Sequence, residues 1–165
     1  MTGPPRVGPL EPIVHHYECH VRFSDVDVYG HVNNVVYFEY IQEARIAFLG
    51  SLGDRAPEDS TLRQVVAHID VSYRRPMLFR PETYDVATWV TAVGTSSYTL
   101  GCRISDETGT VFASGEVRMV AFDATTQRSR HLGPEERDRL ERARTGGSTT
   151  AAAAQQAGRE GRRGC

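Results

Sequence analysis

The chain has 165 residues, with 19 Lys and Arg against 21 Asp and Glu and a formal net charge of -2. This length fits one domain with a substantial core rather than two, and the charge balance argues against nucleic acid as a partner. The three cysteines, Cys19, Cys102 and Cys165, are widely spaced and form no C-x-x-C pair, which predicts neither a disulfide framework nor a zinc site. We expect a reducing cytoplasm and no membrane-spanning helix, because no apolar run approaches the roughly 20 residues required.

The first elements in chain order are an irregular arm and a strand. Residues 1–12 contain four prolines and two glycines, a composition typical of a flexible segment. In residues 13–23 polar and apolar side chains alternate, which predicts a half-buried strand. Although the strand is rich in histidine, His16 and His20 would lie about 13 Å apart along one face, which is too far for one metal ion.

A long helix is predicted after a polar turn. Apolar residues recur at helical spacing through residues 35–49 and leave only a narrow polar edge, so other structure must wrap this helix. Asn33 or Asn34 is the predicted N-cap, because an Asn side chain can accept a hydrogen bond from a first-turn amide. Gly50 and Gly53 mark the predicted end. The unpaired amides at the helix start suit a carboxylate, an oxyanion or a polarised carbonyl.

Four strands are predicted in succession after a polar connection. Their β-branched and aromatic content, alternation and turn signals place them at residues 64–73, 83–93, 98–105 and 110–122. The side chains predicted on one face of the first are Val65, Ala67, Ile69, Val71 and Tyr73.

The sequence of the C-terminal part predicts a short charged helix followed by a tail. Pro and acids in the first turn favour a helix from residue 133 to about 144, and the small and polar residues of 145–165 predict disorder. One apolar helix and five mostly antiparallel strands predict an α+β arrangement in which a curved sheet wraps the helix. Because Trp89 would lie on the sheet face away from the helix, we expect a second copy to cover part of that face.

The turn and helix start also carry a motif. Residues 25–45 read Asp-x-Asp-x-x-Gly-His-Val-Asn-Asn-x-x-Tyr-x-x-Tyr-x-x-Glu-Ala-Arg. In its strand-turn-helix context this pattern resembles the hotdog-fold thioesterases of the 4-hydroxybenzoyl-CoA thioesterase type. The resemblance covers residues 13 to about 125. It implies a five-stranded antiparallel sheet around one long central helix, and dimers with a continuous sheet and active sites at the interface. The expected domain spans residues 13–144.

The resemblance implies hydrolysis of an acyl-CoA thioester to free acid and CoA, without a metal or redox cofactor. Matched residue by residue, it makes Asp27 the nucleophile or general base and puts the amide that polarises the thioester carbonyl at Asn34. This chemistry is reasonable, because amides at a helix start can stabilise the developing oxyanion and a carboxylate can attack the carbonyl or deprotonate water. His31 is the third catalytic candidate, which would orient the acid or the water.

Three further residues are candidates for substrate binding. Asn33 would lie beside the polarising amide, although a plain helix cap is the alternative. Tyr37, one turn into the helix, would line the acyl pocket or pack in the core. Arg75, with Arg74 and Arg80, could meet the phosphates of CoA, although charged loops are often only solvated.

Two other functions stay open. Relatives that act on acyl-carrier proteins use an Asp-x-Asn-x-His arrangement, which Asp27 and His31 would match, but Tyr29 stands at the Asn position. A non-catalytic module would bind acyl-CoA as a sensor or scaffold and would not need Asp27. The expected partners are therefore an acyl-CoA or acyl-carrier-protein thioester and further copies of the chain in a homodimer or homotetramer, with no nucleic acid and no membrane.

Overall fold

The computed structural model describes residues 12–53 and 62–146. The predicted arm up to residue 11, residues 54–61 of the predicted connection and residues 147–165 of the predicted tail lie outside this part. Within it a short 3-10 helix, Phe23–Asp25, follows the first strand. The other elements are β1 His15–Cys19, α1 Val36–Ser51, β2 Leu62–Tyr73, β3 Tyr84–Val93, β4 Ser97–Ser105, β5 Val111–Asp123, β6 Arg128–Ser129 and α2 Pro134–Thr145.

The strands form one antiparallel sheet with α1 packed against it. The order is β1-β3-β4-β5-β2, and the two-residue β6 also pairs with β5. The helix buries Tyr37, Tyr40, Ile41, Ala44 and Phe48. The predicted α+β hotdog fold is confirmed, with β6 as an addition that the sequence pattern did not predict.

The first strand is shorter than predicted. It ends at Cys19, and Phe23 is 81% exposed although alternation predicted it on the buried side. The cause is local, since the N–H of Arg22 donates to the Asp25 carboxylate at 2.8 Å and the N–H of Asp25 donates to the carbonyl of Arg22 at 3.0 Å. This turn takes the chain out of the sheet before residue 23.

A bulge changes the predicted face of β2. The register shifts between Val66 and His68, and an extra residue in one strand reverses which face the following side chains occupy. Ile69 pairs with the buried Val117 and packs against the core. Val65 instead pairs with Val120, which is not part of the core cluster, and Val65 is 38% exposed. The prediction that Val65 shares a face with Ile69 was therefore wrong.

Strand β2 also forms an edge of the sheet. Its pairing partner within the described residues is β5, on one side, and Val65, Val66 and Tyr73 are exposed along it. A 12-residue edge with exposed apolar side chains is a template for pairing with another strand.

Helix α2 packs on β3 and lies near the C-terminal end of α1, away from the polar turn. Leu140 and Ala143 are buried, and the N–H of Ile13 donates to the carbonyl of Ala143 at 2.8 Å, which ties α2 to the start of β1. Gly146, at φ 77°, ends the helix. The helix matches the predicted charged segment to within one residue. Neither α1 nor α2, the two α-helices of the described residues, could span a lipid bilayer.

Candidate active site

The start of α1 differs from the predicted cap. The helix begins at Val36 and its N-cap position is Val35, two residues beyond Asn33. Asn33 still organises the turn before the helix, because its side-chain oxygen accepts the N–H of Val35 at 3.0 Å and its carbonyl accepts the N–H of Val36 at 2.9 Å. These bonds make a turn of the kind that Asn side chains favour.

Asn34 carries the amide that this arrangement leaves available. Its carbonyl accepts a hydrogen bond from the hydroxyl of Tyr73 at 2.9 Å, and the neighbouring amides of Asn33 and Val35 are both bonded. Among residues 12–53 and 62–146, none accepts a hydrogen bond from the Asn34 N–H. An unpaired amide at a helix start can bind an anion or a polarised carbonyl oxygen.

Asp27 sits in a tight turn that reverses at Gly30, whose φ is 78°. The Asp27 N–H donates to the carbonyl of His31 at 2.8 Å, and the Gly30 N–H donates to the carbonyl of Asp27 at 3.0 Å. One carboxylate oxygen, Oδ1, accepts the amides of Tyr29 at 2.8 Å and His31 at 3.3 Å. The other, Oδ2, accepts none from the residues described. The turn therefore fixes one oxygen and leaves the second for a ligand.

One open cavity of about 380 Å³ brings these groups together. Five of the six predicted site residues line this cavity: Asp27, His31, Asn34, Tyr37 and Arg75. Tyr73, at the end of β2, also lines it. Asn33 is absent from this lining, because its side chain is turned to the Val35 amide.

Tyr37 forms a buried part of the cavity lining. It is 3% exposed, and its hydroxyl accepts the N–H of Met77 at 2.9 Å. Burial raises the pKa of this phenol, which therefore stays protonated. Tyr37 thus belongs both to the core and to the lining of this cavity, and its role at the acyl group stays a prediction.

The three predicted arginines divide into two groups. Arg74 and Arg75 are exposed at the cavity, and neither forms an ion pair with the described residues. Arg80 instead pairs with Glu107 at 2.8 Å and lies over the Tyr84 ring, 4.1 Å from its centroid. Arg74 and Arg75 are therefore the cations available to an anionic ligand at this cavity.

Sequence reasoning treated Tyr73 only as a strand residue. It is the last residue of β2 and stands directly before Arg74-Arg75-Pro76. Nothing in the alternation pattern indicates that its hydroxyl reaches the start of α1. The available signal was its position at the strand end, beside a proline-terminated basic segment.

Asp25 is a buried residue whose hydrogen bonds stabilise the turn. It is 2% exposed, and its carboxylate accepts the Tyr40 hydroxyl at 2.6 Å and the Arg22 Nε at 2.9 Å. Its carbonyl accepts the N–H of Asn33 at 2.8 Å. Burial alone would raise the pKa of this carboxyl, but the hydrogen bonds from Arg22 and Tyr40 outweigh burial and hold the pKa below its ordinary value.

Known proteins resemble most of the chain. The family model of the thioesterase-like superfamily matches residues 21–145. The chain is 32% identical over 123 residues to the long-chain acyl-CoA thioesterase FadM of Escherichia coli (strain K12), covering 73% of this chain and 92% of FadM. It is 32% identical over 120 residues to YsmA of Bacillus subtilis (strain 168), covering 73% and 80%. A thioesterase structure from Thermus thermophilus, complexed with coenzyme A and Zn, is 30% identical with a TM-score of 0.67, covering 79% and 94%.

The lowered pKa of Asp25 predicts a pH-dependent effect of Asp25→Asn. Near neutral pH the variant should lose about 1.5–3 kcal/mol of unfolding free energy, because hydrogen bonds to a buried charge are lost. In the wild type this stabilisation is fully present above the unfolded pKa of about 3.9 and is lost as pH falls through the lower folded pKa. Urea unfolding from pH 7 downward should therefore show the gap between the two proteins narrowing in acid.

Asp138→Asn is the control for this experiment. Asp138 is exposed on α2 and pairs with Arg142 at 2.8 Å, so its loss should change stability by only about 0.5 kcal/mol. A gap between wild type and Asp25→Asn that stayed constant down to acid pH would contradict the role given to Asp25.

Proposed function

The chain belongs to the thioesterase-like superfamily and is a thioester hydrolase, and we propose that it hydrolyses acyl-CoA to a free acid and CoA. The observation that carries this proposal is that Asp27 and Asn34 line one cavity, and that the Asp27 Oδ2 and the Asn34 N–H have no hydrogen-bond partner among the described residues. The choice of CoA is supported by the acyl-CoA thioesterase FadM and by the Thermus thermophilus relative that is complexed with coenzyme A.

The Asn34 amide has the role of an electrostatic catalyst in this proposal. Attack on a thioester moves negative charge onto the carbonyl oxygen. An N–H already fixed in place stabilises that charge without reorganisation, and a single such donor can lower the barrier by about 3–4 kcal/mol. The positive end of the α1 dipole acts at the same point and in the same direction.

Asp27 supplies the second half of the chemistry. Its Oδ2 can attack the carbonyl carbon and release the CoA thiolate, leaving an anhydride that water then hydrolyses. It can instead take a proton from a water molecule as that water attacks. His31 is exposed and lines the same cavity, where it orients the water in either route. Asn33 contributes indirectly by holding the Val35 amide.

Arg74 and Arg75 are assigned to the phosphates of CoA. Both are exposed at the cavity that holds Asp27, and neither is paired with an acid among the described residues. Guanidinium groups bind phosphate oxygens through paired, charge-assisted hydrogen bonds. The Tyr37 hydroxyl is bonded to the Met77 N–H, so its ring is the part that would contact the acyl group of the substrate.

The proposed assembly is a homodimer built on β2, which two such dimers could extend to a tetramer. The exposed edge and its apolar residues Val65 and Val66 favour antiparallel pairing with a second copy of the same strand. We also assign the protein to the cytoplasm, because Cys19 and Cys102 are free and buried and serve as apolar packing.

Asp27→Asn tests the catalytic assignment. The amide cannot act as a base or a carboxylate nucleophile, so kcat for acyl-CoA should fall by about a thousandfold or more, measured as thiol release. Asp106→Asn is a matched control, because the Asp106 Oδ1 also accepts two turn amides, those of Thr108 and Thr110, but lies in the β4–β5 turn. It should keep wild-type activity.

The outcomes separate the alternatives. Full activity in Asp27→Asn would refute the assignment of Asp27. Saturable binding of acyl-CoA by the wild type without thiol release would indicate a non-catalytic module. Faster hydrolysis of an acyl-carrier-protein thioester than of the matched acyl-CoA would indicate a biosynthetic carrier-protein thioesterase.

Arg75→Ala tests the phosphate assignment. The variant should raise KM for acyl-CoA by about tenfold, the value of one charge-assisted hydrogen bond, while kcat changes little. With an acyl-pantetheine substrate, which lacks the nucleotide, wild type and variant should have equal KM values. Arg103→Ala on the exposed part of β4 is the control. An equal rise in KM for both substrates would rule out a phosphate contact.

Val65→Lys tests the proposed dimer. Lysine on an edge strand opposes pairing, so sedimentation should show the variant as a monomer at concentrations where the wild type is a dimer. Val14→Lys is a matched control, because Val14 is 40% exposed against 38% for Val65 and lies just before β1 at the opposite edge of the sheet. A dimeric Val65→Lys variant would place the interface elsewhere.

A further inference from the structure

Tyr73 connects the edge strand to the candidate active site. It is 46% exposed and lines the same cavity as Asp27 and Asn34. It lies outside the motif at residues 25–45 and comes from a different element of the fold. Its hydroxyl is not directed at a ligand, because it donates to the Asn34 carbonyl at 2.9 Å.

This hydrogen bond completes a clamp on one peptide unit. The carbonyl of Asn34 and the N–H of Val35 belong to the same planar group. The Tyr73 hydroxyl holds the carbonyl end at 2.9 Å, and the Asn33 side-chain oxygen holds the N–H end at 3.0 Å. A peptide plane held at both ends cannot rotate freely.

The preceding peptide unit contains the amide proposed to polarise the substrate. Its carbonyl, that of Asn33, accepts the Val36 N–H at 2.9 Å, while its N–H, that of Asn34, has no acceptor among the described residues. The direction of the Asn34 N–H depends on the torsion angles that join it to the clamped unit. The Tyr73 hydroxyl therefore restrains the direction of the Asn34 N–H, and only the two backbone torsion angles of Asn34 separate the two groups.

The ring of Tyr73 is itself held in place. It meets the Tyr37 ring edge-on, with centroids 5.0 Å apart and an interplanar angle of 86°, a geometry that aromatic pairs favour. Tyr37 is fixed in turn by its buried hydroxyl, which accepts the Met77 N–H at 2.9 Å. Phenylalanine at position 73 would keep the ring contact and lose only the hydrogen bond to Asn34.

We propose that Tyr73 is a positioning residue for thioester hydrolysis, whose hydroxyl holds the Asn34 peptide so that the Asn34 N–H points at the substrate carbonyl oxygen. The proposal rests on the function proposed above. Tyr73 touches neither the reacting atoms nor the phosphates in this scheme, so its effect falls on the transition state rather than on substrate binding.

Tyr73→Phe is the test, with steady-state kinetics on acyl-CoA well below the unfolding temperature. We expect kcat to fall about fivefold, the equivalent of one net neutral hydrogen bond, with KM within about twofold of wild type. Asn34 is an exposed residue, so its carbonyl can bond to water instead, and the thermal midpoint should move little.

Tyr98→Phe is the matched control. Tyr98 lies on β4, and its hydroxyl donates to the Gln64 side chain of β2, at the end of that strand remote from Tyr73. This variant removes a tyrosine hydroxyl that contacts β2 from a neighbouring element, without touching the helix start, and kcat should stay at the wild-type value even where the thermal midpoint falls.

The alternative outcomes are distinct. A lower thermal midpoint with unchanged kcat in Tyr73→Phe would show a purely structural role and overturn the proposal. A rise in KM with constant kcat would overturn it in favour of a direct substrate contact. A wild-type protein that hydrolyses no thioester would defeat the proposed function and this inference together, whereas an active wild type matched in kcat by Tyr73→Phe would defeat this inference alone.

Discussion

The buried carboxylate of Asp25 is the contact on which the geometry of the site depends. It joins the turn to α1 through the Tyr40 hydroxyl at 2.6 Å and to the end of the β1 segment through Arg22. The Asp25 carbonyl also accepts the Asn33 amide at 2.8 Å. Burying a charge is costly unless every lone pair finds a donor. The satisfied network stabilises this path of the loop, and the bond to the Asn33 amide holds the residues just before α1 in place.

Two acids only two residues apart have opposite environments in this structure. Asp25 is 2% exposed and its carboxylate is fully engaged by Arg22 and Tyr40. Asp27 lies at the cavity with one oxygen fixed by turn amides and the other uncommitted. Environment rather than residue type separates a structural carboxylate from one suited to chemistry. The motif singled out Asp27 through its resemblance to a family, and the burial and hydrogen bonds of Asp25 give a physical reason for the difference.

Local patterns were sufficient for the long elements and insufficient for the short ones and for the contacts between elements. The 16-residue helix and the long strands could be predicted, because periodicity over many residues reflects one buried face. The bulge after Val66 and the exposure of Phe23 could not, since each depends on one irregular residue or turn. The motif made Asp27 and Asn34 candidates, because both lie within it. Tyr73 could not be found in this way, because it lies 39 residues from Asn34 in sequence. A hydrogen bond over that separation exists only after the sheet has closed around the helix.

The proposed dimer interface and the proposed positioning residue Tyr73 both lie on strand β2. Edge strands lack partners on one side and open more readily than central ones, and Tyr73 is the terminal residue of such a strand. Pairing with a second copy would supply the missing backbone hydrogen bonds and reduce motion at residue 73. The Asn34 carbonyl would then be held for a larger fraction of the time. Assembly and catalysis are thus expected to be coupled through the Tyr73 hydroxyl, even if the second copy contributes no side chain to the cavity.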